Sequence, residues 1–301
     1  MADLKPPKFD TNKVTREYLD SILIEQRLIG SVLPNLEIEL FGERFASPIM
    51  MPAFSHLRKF LRDERPNGMV EYALAAKNLN LVNYVGMGPD EEFREILDTG
   101  AKTVRIIKPY ADKDKIFEQI EFAKKNGAIA VGMDIDHIFG SDGQYDLVFE
   151  DRMGPQSDED LRSYIEFAEI PFVVKGVLSA FDAVNCAEIG AAAILVSHHS
   201  GRMPFAIPPL KILPEITGAL GKCDMKIFVD CGIATGADAF KALALGADAV
   251  AVGRAMMPAL IKEGQAGVEA YITKMNQELA YIMGFTGSRS VSGIDPGVLH
   301  F

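Results

Sequence analysis

Six consecutive residues, Ser197-His198-His199-Ser200-Gly201-Arg202, set two imidazoles just ahead of a guanidinium. An imidazole titrates near neutrality, while a guanidinium stays charged and grips carboxylates with two parallel hydrogen bonds. The pair suits proton abstraction from a substrate whose carboxylate the arginine holds. Spacing alone leaves open which histidine is the base. A second cluster, VDCGIATG followed by AVAVGR, carries Gly232, Gly236 and Gly253, which admit close backbone approach, and Arg254, which adds charge. Such turns ahead of helix N-termini suit a phosphate. Lys175 lies inside the apolar run PFVVKGV and needs an anionic or electron-rich partner. It reads either as a Schiff-base lysine or as a cation beside a reduced cofactor ring. His56, His137 and His300 lack comparable neighbours and read as solvated or structural. Cys186, Cys223 and Cys231 are too few and scattered for a disulfide framework or a zinc site, and no metal is expected.

Positioning these groups takes a repeating scaffold, and the chain has one. Short β-branched runs occur at 47–53, 81–85, 103–109, 128–136, 171–177, 192–199, 226–232 and 249–254. They are continuously apolar rather than alternating, as expected of parallel strands covered on both faces. Helical patterns separate them. KDKIFEQIEFAKKNG places Ile116, Phe117 and Ile120 on one side and stops at Gly127, and TGADAFKALALGA offers Thr235 as N-cap and Gly246 as stop. Eight strand–helix units predict a closed (β/α)8 TIM barrel, whose functional residues gather at the C-terminal ends of the strands. Lys108, Tyr110, Asp134, Asp136, Lys175, Asp230 and the two clusters all fall there.

Two stretches break the rhythm. Residues 137–158 form a long Gly-rich, acidic loop after the fourth run, expected as a lid or substrate loop. Residues 1–45 precede the barrel, with a helix expected over Arg16–Ile29 and a strand over Leu36–Leu40, both plugging its bottom. No linker divides the chain, so residues 1–301 read as a single domain.

Composition narrows the function. Among 301 residues, 31 are Lys or Arg and 42 are Asp or Glu, a net charge of −11, which argues against a nucleic-acid scaffold. A hydrophobic fraction of 48% excludes a mainly disordered chain. No apolar stretch approaches a membrane span and the first residues lack the apolar core of a secretory signal, so a cytoplasmic protein is expected.

These motifs resemble the FMN-dependent α-hydroxy acid dehydrogenases and oxidases, which include glycolate oxidase and lactate oxidase. The family's S-N-H-G-[GA]-R signature is similar to residues 197–202, and VDCGIATGADAFKALALGADAVAVGRAMM resembles its flavin-phosphate segment. The resemblance runs from about Asn12 to Gly293. It implies a catalytic set of His199 as base, Asp134 as the carboxylate orienting it, Tyr110 on the substrate oxygen and Arg202 on the substrate carboxylate. It further implies that FMN is held by Met51, Pro52, Ala53, Asn83, Lys108, Lys175, Ser197, Asp230, Gly232, Gly253 and Arg254. A small 2-hydroxy acid substrate and a homo-oligomer, tetrameric in many relatives, follow from it too.

The departures are specific. Lys108 stands where the family has a flavin-bonding glutamine, implying added positive charge at the ring. His198 replaces an asparagine, Ser200 a glycine, and Ala234 the phosphate-binding arginine. The family's N-terminal substrate tyrosine has no counterpart, and Arg152, the one arginine of the 137–158 loop, does not match its second substrate arginine. Two other readings fit the same residues: an FMN enzyme of isomerase or reductase chemistry, and a barrel that binds a phosphorylated ligand or flavin without catalysis.

Overall fold

The computed structural model describes residues 9–55, 57 and 67–301. It opens with α1 (Thr11–Ser21), whose start is fixed by Asp10 accepting the amides of Asn12 and Lys13. Next come β1 (Leu23–Ile24) and the hairpin β2 (Ile38–Leu40) and β3 (Glu43–Phe45). The hairpin turns at Phe41 and Gly42, both with positive φ, the geometry that matches strand twist.

The barrel strands are β4 (Ile49–Met50), β5 (Asn83–Val85), β6 (Thr103–Ile107) and β7 (Ala130–Asp134). A small hairpin, β8 (Leu147–Val148) and β9 (Asp151–Arg152), interrupts them before β10 (Phe172–Val177), β11 (Ala193–Val196), β12 (Lys226–Val229) and β13 (Ala249–Ala251). The eight strands form seven parallel pairings around the sheet, from β4 through β13 and β12 back to β5. The amide of Met51 bonds Val82 O at 3.0 Å and that of Gly86 bonds Phe54 O at 2.8 Å, joining the two ends into the predicted (β/α)8 barrel. Helices α2 (Gly68–Asn78), α3 (Asp90–Asp98), α4 (Lys113–Lys125), α5 (Asp158–Ala168), α6 (Ala180–Glu188), α7 (Pro209–Leu220) and α8 (Gly236–Ala244) lie between the strands. Then α9 (Met257–Phe285) follows, kinked at Gly264, and β14 (Leu299–His300) pairs with β1. The expected caps are present: Thr235 and Asp238 form a capping box at α8, and Gly127 takes a positive φ just past α4.

Side chains on each strand alternate between two cores. Met50, Val82, Tyr84, Val104, Ile106, Ala130, Val173, Leu195, Phe228 and Ala251 fill the lumen. Ile49, Met51, Val85, Ile107, Val131, Met133, Val174, Val196 and Val229 face the helices. The lumen is so tightly filled that a Cβ on Gly132 would come within 2.2 Å of Val173 O.

The pre-barrel segment departs from expectation. Leu40 and Phe45 of the β2–β3 hairpin do plug the lumen. The helix, however, ends at Ser21 rather than Ile29, because Ile22 is extended and Leu23–Ile24 pair with β14. It also lies at the opposite end of the barrel from the plug, against the loops that follow β11, β12 and β13. Asn12 bonds Ser200 O and Arg254, Thr15 bonds His198, and Arg16 bonds Gly232 O and Asp238. Among the described residues, no helix is long and apolar enough to cross a membrane.

Candidate active site

The period-two alternation of a strand places the site. Two positions beyond lumen-facing Ile106, Gly132, Val173, Leu195 and Phe228 stand Lys108, Asp134, Lys175, Ser197 and Asp230. Each core row therefore ends in a polar group at the C-terminal rim. Two cavities open there, sharing Ala53, Phe54 and His199.

The first, of about 340 Å³, is lined by Pro52, Lys175, Asp230, Gly232, Gly253 and Arg254 among others. The position a Cβ of Gly253 would take has no atom within 4 Å, so the glycine leaves room for a ligand. Arg254 opens the short helical turn before α9, oriented by Nη2 donating to Asn12 at 2.8 Å. Cys231 is an inert thiol: burial and nearby Asp230 push its pKa up to about 12.

The second cavity, of about 480 Å³, is lined by Lys108, Asp134, His137, Asp146, Phe149 and His199 among others. Here the side chains satisfy one another. Asp134 accepts from Lys175 and from Lys108, each at 2.6 Å. Burial alone would raise its pKa, yet the two ammonium groups and His199 hold it well below the usual carboxylate range. Lys175 loses stability as a buried cation, but Asp134 overcompensates and keeps it charged. Lys108 is thus bonded to Asp134 instead of standing free, but one carboxylate serves two ammonium groups and the trio keeps a net positive charge. Lys108 also donates to His137 Nδ1 at 2.9 Å, so His137 Nε2 carries the hydrogen it gives to Asp146 at 2.8 Å. Burial, with Lys108 and Arg202 adding, lowers the His137 pKa to about 4. His137, assigned above to a solvated or structural role, therefore belongs to the site. Its signal was its position one residue past Asp136 at a strand end.

The two histidines of the signature separate cleanly. His198 is buried, with Nδ1 accepting the Gly201 amide at 3.0 Å and Nε2 bonded to Thr15 at 2.8 Å. Burial lowers its pKa, and both ring nitrogens are engaged. His199 gives Nδ1–H to Asp136 at 2.8 Å, which leaves Nε2 as its acceptor. The carboxylate orienting it is Asp136, not Asp134, which lies 3.8 Å away and is held by the lysines. Residues 199 to 201 all take positive φ, a strained loop that presents the imidazole at the rim.

Other expected residues are placed differently. Ser197 lines neither cavity, and its hydroxyl instead accepts the His199 amide at 3.0 Å. Asn83 faces the helix layer and donates to Thr103 at 3.1 Å, while neighbouring Tyr84 takes the lumen. Met51 likewise packs toward the helices. For both, a one-residue offset along a strand reverses the facing. Tyr110 lines a third cavity of about 500 Å³, with Lys115 at 4.6 Å from its ring. That cavity borders the second through Lys108 and Phe149. His300 bonds Glu25 at the surface, and His56 lies outside the described residues. Asp134, His137 and His199 bring ligand atoms within 4.8 Å of one another, but both Asp134 oxygens are already bonded to lysines.

Chain-wide comparison decides the family. The model of the FMN-dependent dehydrogenase family matches residues 8–166 and 148–301. The chain belongs to this family. An L-lactate oxidase from Nostoc sp. is 38% identical over 172 residues, 56% of this chain and 46% of that protein. An L-lactate dehydrogenase from Xanthomonas oryzae pv. oryzae is 41% identical over 142 residues, 47% of this chain and 36% of its own length. The matched region thus spans less than half of either relative. A solved mandelate oxidase with benzoyl-formic acid superposes with a TM-score of 0.86 at 26% identity, covering 97% of this chain and 90% of that one. Another, with 3,3-difluoro-2-hydroxy-3-phenylpropionic acid, gives 0.86 at 27% identity, with coverages of 97% and 91%.

FMN is the family's cofactor, and the first cavity fits it: an open glycine cradle beside Arg254, a carboxylate at Asp230 and a buried cation at Lys175.

Proposed function

We propose that this protein oxidises a small 2-hydroxy carboxylic acid to the 2-oxo acid, with FMN as the electron acceptor. The observation that carries this reading is the His199–Asp136 pair at the wall shared by the two cavities. Asp136 fixes the tautomer and stabilises the imidazolium, so that Nε2 takes the substrate hydroxyl proton. Bound FMN would supply the two-electron sink for the α-hydrogen, and Lys175 would offset negative charge gained by the ring. Gly232, Gly253, Arg254 and Asp230 would hold the phosphate and ribityl chain, while Pro52 and Ala53 would border the ring. Arg202 anchors the substrate carboxylate, and the 137–158 loop covers the site. The chain acts as one catalytic unit, and copies associate through apolar side chains exposed at Leu23, Ile29, Leu33 and Phe301.

The test is anaerobic bleaching of the bound flavin by lactate, glycolate, mandelate and longer 2-hydroxy acids. At least one should reduce it, and His199→Ala should slow that reduction by about 10²–10⁴-fold. Unchanged bleaching in the variant would discard the mechanism, and a panel that leaves the flavin oxidised would discard the substrate class.

A further inference from the structure

Arg202 already carries a carboxylate partner from its own chain. Its Nη2 donates to Asp146 at 2.5 Å and to Phe139 O at 2.9 Å. Its Nε is buried with no partner. Asp146 lines the second cavity alongside His199, whereas Arg202 does not line it. A carboxylate is therefore already seated between the cavity and the guanidinium, and it comes from the loop that covers the site. The same Oδ2 of Asp146 accepts from His137, so Asp146 is held from both sides. Burial would raise the Asp146 pKa, but the bond to Arg202 and the neighbouring His137 bring it below the usual range, and it is ionised.

We propose that Asp146 is a built-in competitor for the substrate carboxylate and the residue that sets how strongly this site prefers carboxylate ligands. This rests on the reading of Arg202 as the anchor. A ligand carboxylate reaches Arg202 by displacing Asp146, and it takes up the orphaned Nε–H as well. A neutral ligand of the same shape has no charge to exchange and leaves the pair in place. The competition costs every carboxylate ligand affinity, and two like charges beside one cation raise that cost.

The experiment measures dissociation constants of pyruvate and pyruvamide on the holoenzyme, from perturbation of the flavin absorbance. Asp146→Asn keeps the shape and an acceptor for Arg202 but removes the charge. The expected result is pyruvate bound roughly tenfold tighter, the size of one charged hydrogen bond, with pyruvamide unchanged. Asp146→Ser, too short to reach the guanidinium, should shift pyruvate in the same direction. Pyruvate unchanged or weakened in both variants would overturn the proposal, as would equal tightening of both ligands, which marks a loosened loop only. Binding is read without turnover. A holoenzyme inert toward every 2-hydroxy acid would therefore sink the proposed reaction while leaving this result to stand or fall alone.

Discussion

The two cavities at the rim meet at His199 yet are built on different principles. The one lined by Gly232, Gly253 and Arg254 is shaped largely by backbone, with open space at Gly253, whereas at Gly232 the side chains of Thr15 and Leu19 pack where a Cβ would stand. The one under the 137–158 loop is walled by bonded side chains, Asp134, Lys108, His137 and Asp146, in a row that continues past it to Lys175 at one end and Arg202 at the other. A backbone site keeps its glycines at fixed spacing, whereas a side-chain network can change several members together and remain balanced. Lys108 alone looks like an unpaired charge beside the cofactor, but it shares the carboxylate of Asp134 with Lys175. Unusual residues in such a network have to be read in contacting sets.

That contrast can be broken in graded steps. Asp134→Asn should be the most damaging, because it leaves two buried ammonium groups short of their counter-ion. A loss of about 3–5 kcal/mol is expected in urea unfolding. Stability within error of the parent would mean that the network is not what holds this side together. Arg254→Ala acts on the other cavity, removing its exposed cation. Unfolding of the flavin-free chain should shift by no more than about 0.5 kcal/mol while FMN affinity drops by about tenfold, the size of one charged hydrogen bond. Parallel losses of fold and flavin would refute the distinction.

The mildest change is His137→Asn, read through pH. The His137 pKa is lowered from 6.5 to about 4 in the folded chain, so the unfolded state binds more protons between those values. The stability tied to its neutral form is present above pH 6.5 and is lost as pH falls toward 4. The variant should therefore show a shallower decline of melting temperature across that window, and an identical slope would remove His137 from the network.

Much of this was legible beforehand, for identifiable reasons. The barrel followed from eight apolar runs with capped helices between them, since both signals are local in sequence. Lys108, Lys175, Asp230 and the glycine turns were legible as strand-end residues, because a period of two carries the lumen row onto the rim. The failures share one cause, the loss of facing and partner in a linear reading. Asn83 and Met51 sit one residue out of phase with the lumen, and Asp136 rather than Asp134 meets His199. His137 gained a role only from Lys108 and Asp146, partners that spacing does not reveal. The position of α1 was hidden likewise, since its contacts lie with loops far along the chain.

That last placement governs the order in which the site is completed. The bond from Asn12 to Ser200 spans 188 residues and the one from Arg254 to Asn12 spans 242. During synthesis α1 precedes every loop it docks on, and its last partner, Arg254, emerges only after β13. The seating of the helix that braces the His198 ring and Arg254 is therefore completed late, like a keystone. That late seating makes the finished rim a report that the barrel through β13 has been made and folded.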